Sequence, residues 1–317
     1  MKPVIFVSSC LGFESCRWNG MKLHSDIVEL LRPYVDFITA CPEKEIGLGV
    51  PRDPIRVIED KEGLKVIQPS SGKDVTSLMN EFSVKLLDGI KEVDAFILKD
   101  SSPSCGFKNV KHFAKVEHKT AQSKGGGLFG LKVLEKFPYT AVEDEGRLTN
   151  FVIRELFLTR LFNSAAFREI AAGKKMKELV NFQAKNKLLF LAYNETAMRK
   201  LGRITANAAK KPAGEVLAEY AKELSTVFKS PVKPGAAINV FQHAFGYFSE
   251  EITKEERTHY LKQLDKFNKD ALPLSAIVLL TMAYVARFKL DYLKEQTFFT
   301  PYPESLMSIT DSGNSRR

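Results

Sequence analysis

Short apolar runs alternate with amphipathic stretches through the first half of the chain. Residues 4–9, 35–40, 94–98 and 139–142 read as buried strands bounded by polar or turn-forming residues. Residues 23–32 and 128–137 carry apolar positions at helical spacing, and Pro33 closes the first of these. Asp74 stands where a cap would start a helix running to about Ile90, with Val75, Leu78, Met79, Phe82, Leu86 and Ile90 on one face. Residues 55–59 and 64–68 read as a small hairpin turning near Lys61-Glu62-Gly63. Residues 47–54 are rich in Pro and Gly and read as a loop. The alternation predicts an α/β fold for residues 1–150, a mainly parallel layered sheet with helices.

From about residue 148 the period is helical only. A long helix, about 148 to 172, is expected to close the first domain, with residues 151–174 as the connecting helix. Segments near 176–201, 213–228, 235–248, 254–268 and 273–295 then predict an all-α domain over residues 175–307, punctuated by Pro231, Pro234 and Pro273. Residues 308–317 are polar and are expected to form a disordered tail.

Composition narrows the class. A hydrophobic fraction of 44% and a charged fraction of 27% over 317 residues suit a globular chain with two cores. No apolar run reaches membrane-spanning length, which argues against a membrane partner. Lys2-Pro3-Val4 leads straight into a strand without an apolar leader, so a cytoplasmic location is expected. The net charge of +9 is uneven. Residues 175–317 hold 22 Lys and Arg against 15 Asp and Glu, whereas residues 1–174 hold 25 against 23. This excess in the helical half suits either a polyanionic partner or simply a basic surface.

The four cysteines change the picture further. Cys10 follows the first strand, Cys41 the second, and Cys105 lies a few residues past strand 94–98. Loops at the carboxyl ends of parallel strands build ligand sites. Three thiols delivered there suggest a soft metal centre. None of the four has the close spacing of a structural zinc ribbon. Iron–sulfur clusters are held by thiolates and accept ligands from separate loops. The alternative is four small buried hydrophobes.

The motifs that carry these cysteines are Ser8-Ser9-Cys10-Leu11-Gly12-Phe13-Glu14-Ser15-Cys16-Arg17-Trp18-Asn19-Gly20, Cys41-Pro42-Glu43, Gly72-Lys73-Asp74-Val75-Thr76 and Lys99-Asp100-Ser101-Ser102-Pro103-Ser104-Cys105-Gly106. In this order they resemble the thiouracil desulfidase family of the TudS type over about residues 1–145. The chain is one residue short of the family pattern between Cys10 and Gly12, and Gly125-Gly126-Gly127 matches it loosely. The resemblance implies a [4Fe-4S] cluster on Cys10, Cys41 and Cys105 with one open iron. Cys16 is then either a fourth thiol near the cluster or a packing residue. On this reading a soft Lewis acid takes the sulfur of a thiolated uracil base, water replaces it, and sulfide leaves without net electron transfer. Glu43 is the candidate acid/base, with capping, or pairing to Arg17 or Arg52, as its alternative role. Ser101, Ser102 and Ser104 are candidates to orient substrate or water, or to shape the turn.

Stretches of the helical half, including residues 181–189, 239–248 and 296–303, resemble a helical domain often fused to desulfidase domains. The family usually has His where Gln183 stands. The pairing resembles the RudS-like tRNA 4-thiouridine desulfidases, and implies that the helical module holds tRNA. Lys185, Lys187, Arg199, Arg203, Lys210 and Lys211, with Lys200 and Tyr193 nearby, are the candidate RNA-binding residues, each alternatively part of a solvated face. Trp18 is expected either to stack on a base or to join the core, and His243 to be a partly buried, satisfied histidine. A desulfidase of free thiouracil or another small thioamide, and a cluster-containing RNA-binding or redox-sensing protein without turnover, are the competing classes. Sulfur insertion is disfavoured, because no phosphate-binding loop for ATP occurs in the sequence.

Overall fold

The computed structural model describes residues 2–307 and divides into two compact units, one running to Phe157 and the other Leu158–Met307. The first unit runs β1 (Val4–Ser8), α1 (Asp26–Leu31), β2 (Asp36–Ala40), α2 (Pro42–Glu45), β3 (Arg56–Asp60), β4 (Gly63–Gln68), β5 (Lys73–Asp74), α3 (Thr76–Gly89), β6 (Ala95–Leu98), β7 (Val110–Phe113), β8 (Ser123–Gly125), α4 (Leu128–Lys136) and β9 (Ala141–Asp144). Strands β1, β2, β6 and β9 form a wholly parallel sheet in the order β2-β1-β6-β9. Its inner strand β6, Ala-Phe-Ile-Leu, is buried throughout, as a parallel strand covered on both faces must be. Phe6 of β1 packs on Phe96 of β6 and Phe129 of α4, with ring centroids 5.5 and 5.4 Å apart. This pins α4 over the sheet beside the carboxyl ends of its strands.

The expected mainly parallel sheet with helices is present, and a further sheet accompanies it. A second sheet of five strands stands apart, in the order β5-β4-β3-β7-β8. The expected hairpin β3–β4 is its centre, with Val57 opposite Val66. β7 joins β3 in parallel, and β5 and β8 add antiparallel edges. These three strands lack an apolar run: β8 is Ser-Lys-Gly, β5 is Lys-Asp, and β7 is interrupted by Lys111 and His112. Asp74 is likewise not the cap of α3. Val75 holds that position, and Asp74 instead accepts from the Thr76 amide at 2.8 Å. The last strand begins two residues later than expected and leaves Tyr139 outside it.

The second unit is helical: α5 (Phe151–Gly173, begun in the first unit), α6 (Met176–Lys185), α7 (Lys187–Tyr193), α8 (Glu195–Ala206), α9 (Ala213–Leu224), α10 (Pro234–Phe245), α11 (Lys254–Asn268), α12 (Leu274–Arg287) and α13 (Asp291–Lys294). The single segment expected over 176–201 is three helices, divided at Asn186 and Asn194. The Asn194 side chain caps α8 by accepting from the Ala197 amide at 3.1 Å. Buried Asn186 donates to the Phe182 carbonyl at 2.9 Å and accepts from Asn163 at 2.8 Å. Thr253 and Glu256 form a reciprocal capping box at α11. Among the described residues no helix is long and apolar enough to cross a membrane. The tail expected over 308–317 lies outside the described residues.

Candidate active site

Cys10, Cys41 and Cys105 all lie past the carboxyl ends of neighbouring strands of the parallel sheet, on β1, β2 and β6 respectively. Buried Ser8 ties two of these ends together. Its hydroxyl accepts from the Lys99 amide at 3.0 Å and also bonds with the Cys105 thiol. The Cys16 thiol meets both Cys10 and Cys41, so the fourth cysteine joins the other three rather than packing elsewhere. The Cys41 thiol also donates to the Cys16 carbonyl at 3.6 Å.

The thiols of Cys16, Cys41 and Cys105 are hard to ionise without a counter-charge. Its contact with Cys10, followed by burial, pushes Cys16 up to about 11. Contact with Cys16 and then burial raise Cys41 still further. Burial pushes Cys105 up to about 12, and the charges of Cys41 and Glu43 add to it. Such a set becomes thiolate when a cation neutralises it. Its donors are all soft, and no imidazole stands among them, which fits a thiophilic metal centre. Among the described residues no three or more His, Cys, Asp or Glu side chains are arranged around a single ion. A polynuclear centre, whose thiolates bind different irons, does not require them to be.

Beside the thiols runs a chain of hydrogen bonds. α2 starts immediately after Cys41 with Pro42 in its first turn, which turns Glu43 inward. Arg52 Nε and Nη2 donate to Glu43 Oε2 at 2.9 and 2.7 Å. Arg52 Nη1 donates to the carbonyls of Cys16 and Gly49, both at 3.0 Å. On the other carboxylate oxygen, Glu43 Oε1 accepts from Ser104 Oγ at 2.7 Å. Ser104 Oγ lies 3.1 Å from Ser102 Oγ, which accepts from the Cys105 amide at 3.1 Å. Glu43 therefore both pairs with Arg52 and reaches the Cys105 loop, using a different oxygen for each. Ser101 does not join this chain. Its backbone is left-handed (φ 56°), and its hydroxyl donates to Asp100 at 3.0 Å.

The glycines around the Cys105 loop are a feature that the sequence reading did not explain. A Cβ on Gly127 would lie 2.4 Å from the Pro103 carbonyl oxygen, and one on Gly130 would lie 2.4 Å from that of Gly106. Their amides hold the same loop: Gly127 donates to Gly106 at 2.6 Å and Gly130 to Ser104 at 3.0 Å. The start of α4 is thus pressed on the backbone that presents Cys105. Gly130→Ala is expected to cost about 1–3 kcal/mol, because backbone rather than a flexible side chain must move. Urea unfolding measures it, and an unchanged midpoint would refute this close packing.

At the ends of β6 and β9, Lys99 pairs with Glu145, whose other oxygen accepts from the Asp100 amide at 2.9 Å. Burial pushes Asp144 from 3.8 up to about 6, with Asp100, Glu145 and Glu143 adding to it. The folded state therefore binds the Asp144 proton more tightly than the unfolded chain does. Stability falls as pH rises from about 4 to about 6, by about 2–3 kcal/mol. Asp144→Asn keeps an acceptor for the Arg147 amide (2.7 Å in the wild type). It is expected to flatten that slope and to be the more stable form at pH 7.5 in parallel urea titrations.

In the helical unit the candidate cations divide. Arg199 pairs with Glu195 at 2.7 Å, Lys211 with Glu219 at 2.7 Å, Lys185 with Glu295 at 3.5 Å and Lys200 with Glu223 at 3.6 Å. Lys187, Arg203 and Lys210 are exposed without an ion pair among the described residues. Tyr193 packs edge-on against Phe228. Gln183 accepts from the buried Tyr220 hydroxyl at 2.6 Å, a packing role. His243 is exposed on α10, contrary to the expected partial burial. Trp18 is 47% exposed on the Cys16 loop and is not core.

Comparisons with known proteins divide the chain in the same way. A family model described as 2-thiouracil desulfurase matches residues 5–145, and one described as a protein of unknown function (DUF1722) matches residues 187–303. The uncharacterized protein YbbK of Bacillus subtilis (strain 168) is 42% identical over 110 residues, which are 32% of this chain and 73% of YbbK. The uncharacterized protein YbgA of Escherichia coli (strain K12) is 26% identical over 136 residues, 43% of this chain and 80% of YbgA. Among solved structures, the [4Fe-4S]-dependent thiouracil desulfidase TudS is 26% identical and covers 46% of this chain and 93% of its own, with a TM-score of 0.37.

Proposed function

The chain belongs to the 2-thiouracil desulfurase family through its first unit, and from that premise we propose that it is a [4Fe-4S]-dependent desulfidase converting 4-thiouridine in tRNA to uridine. The observation that carries the reading is the meeting of four thiols with the Glu43–Ser104 hydrogen bond at one end of the parallel sheet. Cys10, Cys41 and Cys105 would hold the cluster, and Cys16 would stand aside. When bound, the cluster supplies a soft Lewis acid suited to a thiocarbonyl sulfur.

The reaction consumes one water and releases one sulfide, so its demand on the protein is proton handling. Glu43 Oε1 receives a proton from the attacking water through Ser104 Oγ, to which it is already bonded. Arg52 balances the carboxylate and fixes its orientation from the opposite oxygen. Ser102 holds Ser104 and the Cys105 amide in register. The +7 excess of residues 175–317 supports a polyanionic substrate held by the helical unit, with Lys187, Arg203 and Lys210 as its unpaired cations. In that reading residues 1–150 are the desulfidase domain, 151–174 a connecting helix and 175–307 the tRNA-binding domain, in a cytoplasmic enzyme.

The test is an anaerobic reconstitution of the full chain with iron and sulfide. It is followed by tRNA containing 4-thiouridine, with near-ultraviolet absorbance and released sulfide recorded together. Matched loss of the thiouridine band and appearance of sulfide is the expected result. Turnover of free 2-thiouracil with untouched tRNA would reassign the substrate, and a bound cluster with neither reaction would favour a sensor.

A further inference from the structure

A cleft of about 570 Å³ opens over the second sheet, lined in part by Arg56, Asp100, Ser101, Lys111, Phe113 and Lys124. Lys111 of β7 and Lys124 of β8 stand directly opposite each other in the antiparallel ladder. Opposed residues share a face, with their Cβ atoms about 5 Å apart, and like charges so placed destabilise the pairing. Both lysines are exposed, and neither lies within ion-pair distance of a carboxylate among the described residues. Other lysines of this unit do find carboxylates, as Lys65 does with Asp60 and Glu62, and Lys132 with Glu135. Arg56 adds a third cation to the lining. Its Nη1 donates to the Val116 and His118 carbonyls at 3.1 and 3.0 Å, and its guanidinium lies 4.7 Å from the centre of the Phe113 ring. Asp100 is the one carboxylate among the lining residues, and it accepts from Ser101. Three positive groups thus face one negative group, and the two opposed lysines repel each other. A bound anion relieves that repulsion.

We propose that this cleft binds the phosphodiester backbone of an RNA strand, with Lys111 and Lys124 as its phosphate contacts. The cleft is larger than a single phosphate requires. Ser101 and Pro103 of its lining belong to the loop that ends at Cys105. The proposal rests on the RNA-substrate reading for the identity of the strand, but its test needs no chemistry.

Binding of a fluorescent oligouridylate without sulfur to the full chain is followed by anisotropy over a salt series. Each contact with a single strand contributes about 0.7 to the slope of log affinity on log salt. The double variant Lys111→Gln/Lys124→Gln is therefore expected to lose about 1.4 from the slope and to bind roughly 25-fold more weakly at 0.1 M salt. Lys111→Glu creates an attractive cross-strand pair with Lys124, and is expected to raise Tm while weakening binding. A merely structural pair would show no loss of binding. An unchanged slope in the double variant overturns the proposal, and if tRNA is still desulfurised the catalytic reading stands without it. UMP and inorganic phosphate serve as competitors. If UMP displaces the oligonucleotide as well as unlabelled oligouridylate does, at equal phosphate concentration, the site belongs to a mononucleotide and the strand assignment falls.

Discussion

Cys41→Ala is expected to abolish iron retention and to bring sulfide release to background. Cys41 stands directly at the end of β2, meets Cys16 and is felt by Cys105 across the site, so it links the thiols of the outer loops. Cys16→Ala is the contrasting variant. It leaves Cys10, Cys41 and Cys105 in place and is expected to retain iron and most of the activity. Iron and acid-labile sulfide per chain, measured beside turnover, separate the two. Equal losses in both would place Cys16 among the ligands and overturn the three-cysteine assignment.

Arg52→Met is expected to cost about 3–5 kcal/mol, the penalty for stranding a buried charge. The Arg52 and Glu43 side chains are 3% and 10% exposed, so water does little to replace the lost partner. Two backbone carbonyls, those of Cys16 and Gly49, lose their donor in the same step. The companion change Glu43→Leu in the Arg52→Met background is expected to recover much of the loss, because an apolar pair of similar volume leaves no orphan charge. Urea denaturation of the two variants measures both steps. A single-variant loss below about 1 kcal/mol would mean that the pair behaves as a solvated surface bridge.

Much of the site was legible because strand ends announce themselves. The apolar runs before Cys10, Cys41 and Cys105 place the thiols, and Cys41-Pro42-Glu43 places the carboxylate one short turn later. Of the second sheet only the central hairpin was legible, because two of its outer strands consist of polar residues and glycine held by backbone pairing alone. The partner of Glu43 was named only among alternatives, since sequence alone does not say whether Arg17 or Arg52 is brought to it in the fold. The glycines of α4 carried a visible signal whose cause was not readable. Spacing does not say which backbone a missing side chain makes room for. In the helical unit, single residues such as Asn186 and Asn194 end helices through side-chain bonds that periodicity does not register.

The guanidinium of Arg52 holds one carboxylate oxygen and two carbonyls, from residues 16, 43 and 49. A part shared by three segments is costly to vary during descent, since any replacement must satisfy all three at once. Substitution is tolerated more readily outside that grip, as at Trp18 and the lysines of β7 and β8, where a new side chain meets solvent before it meets the core.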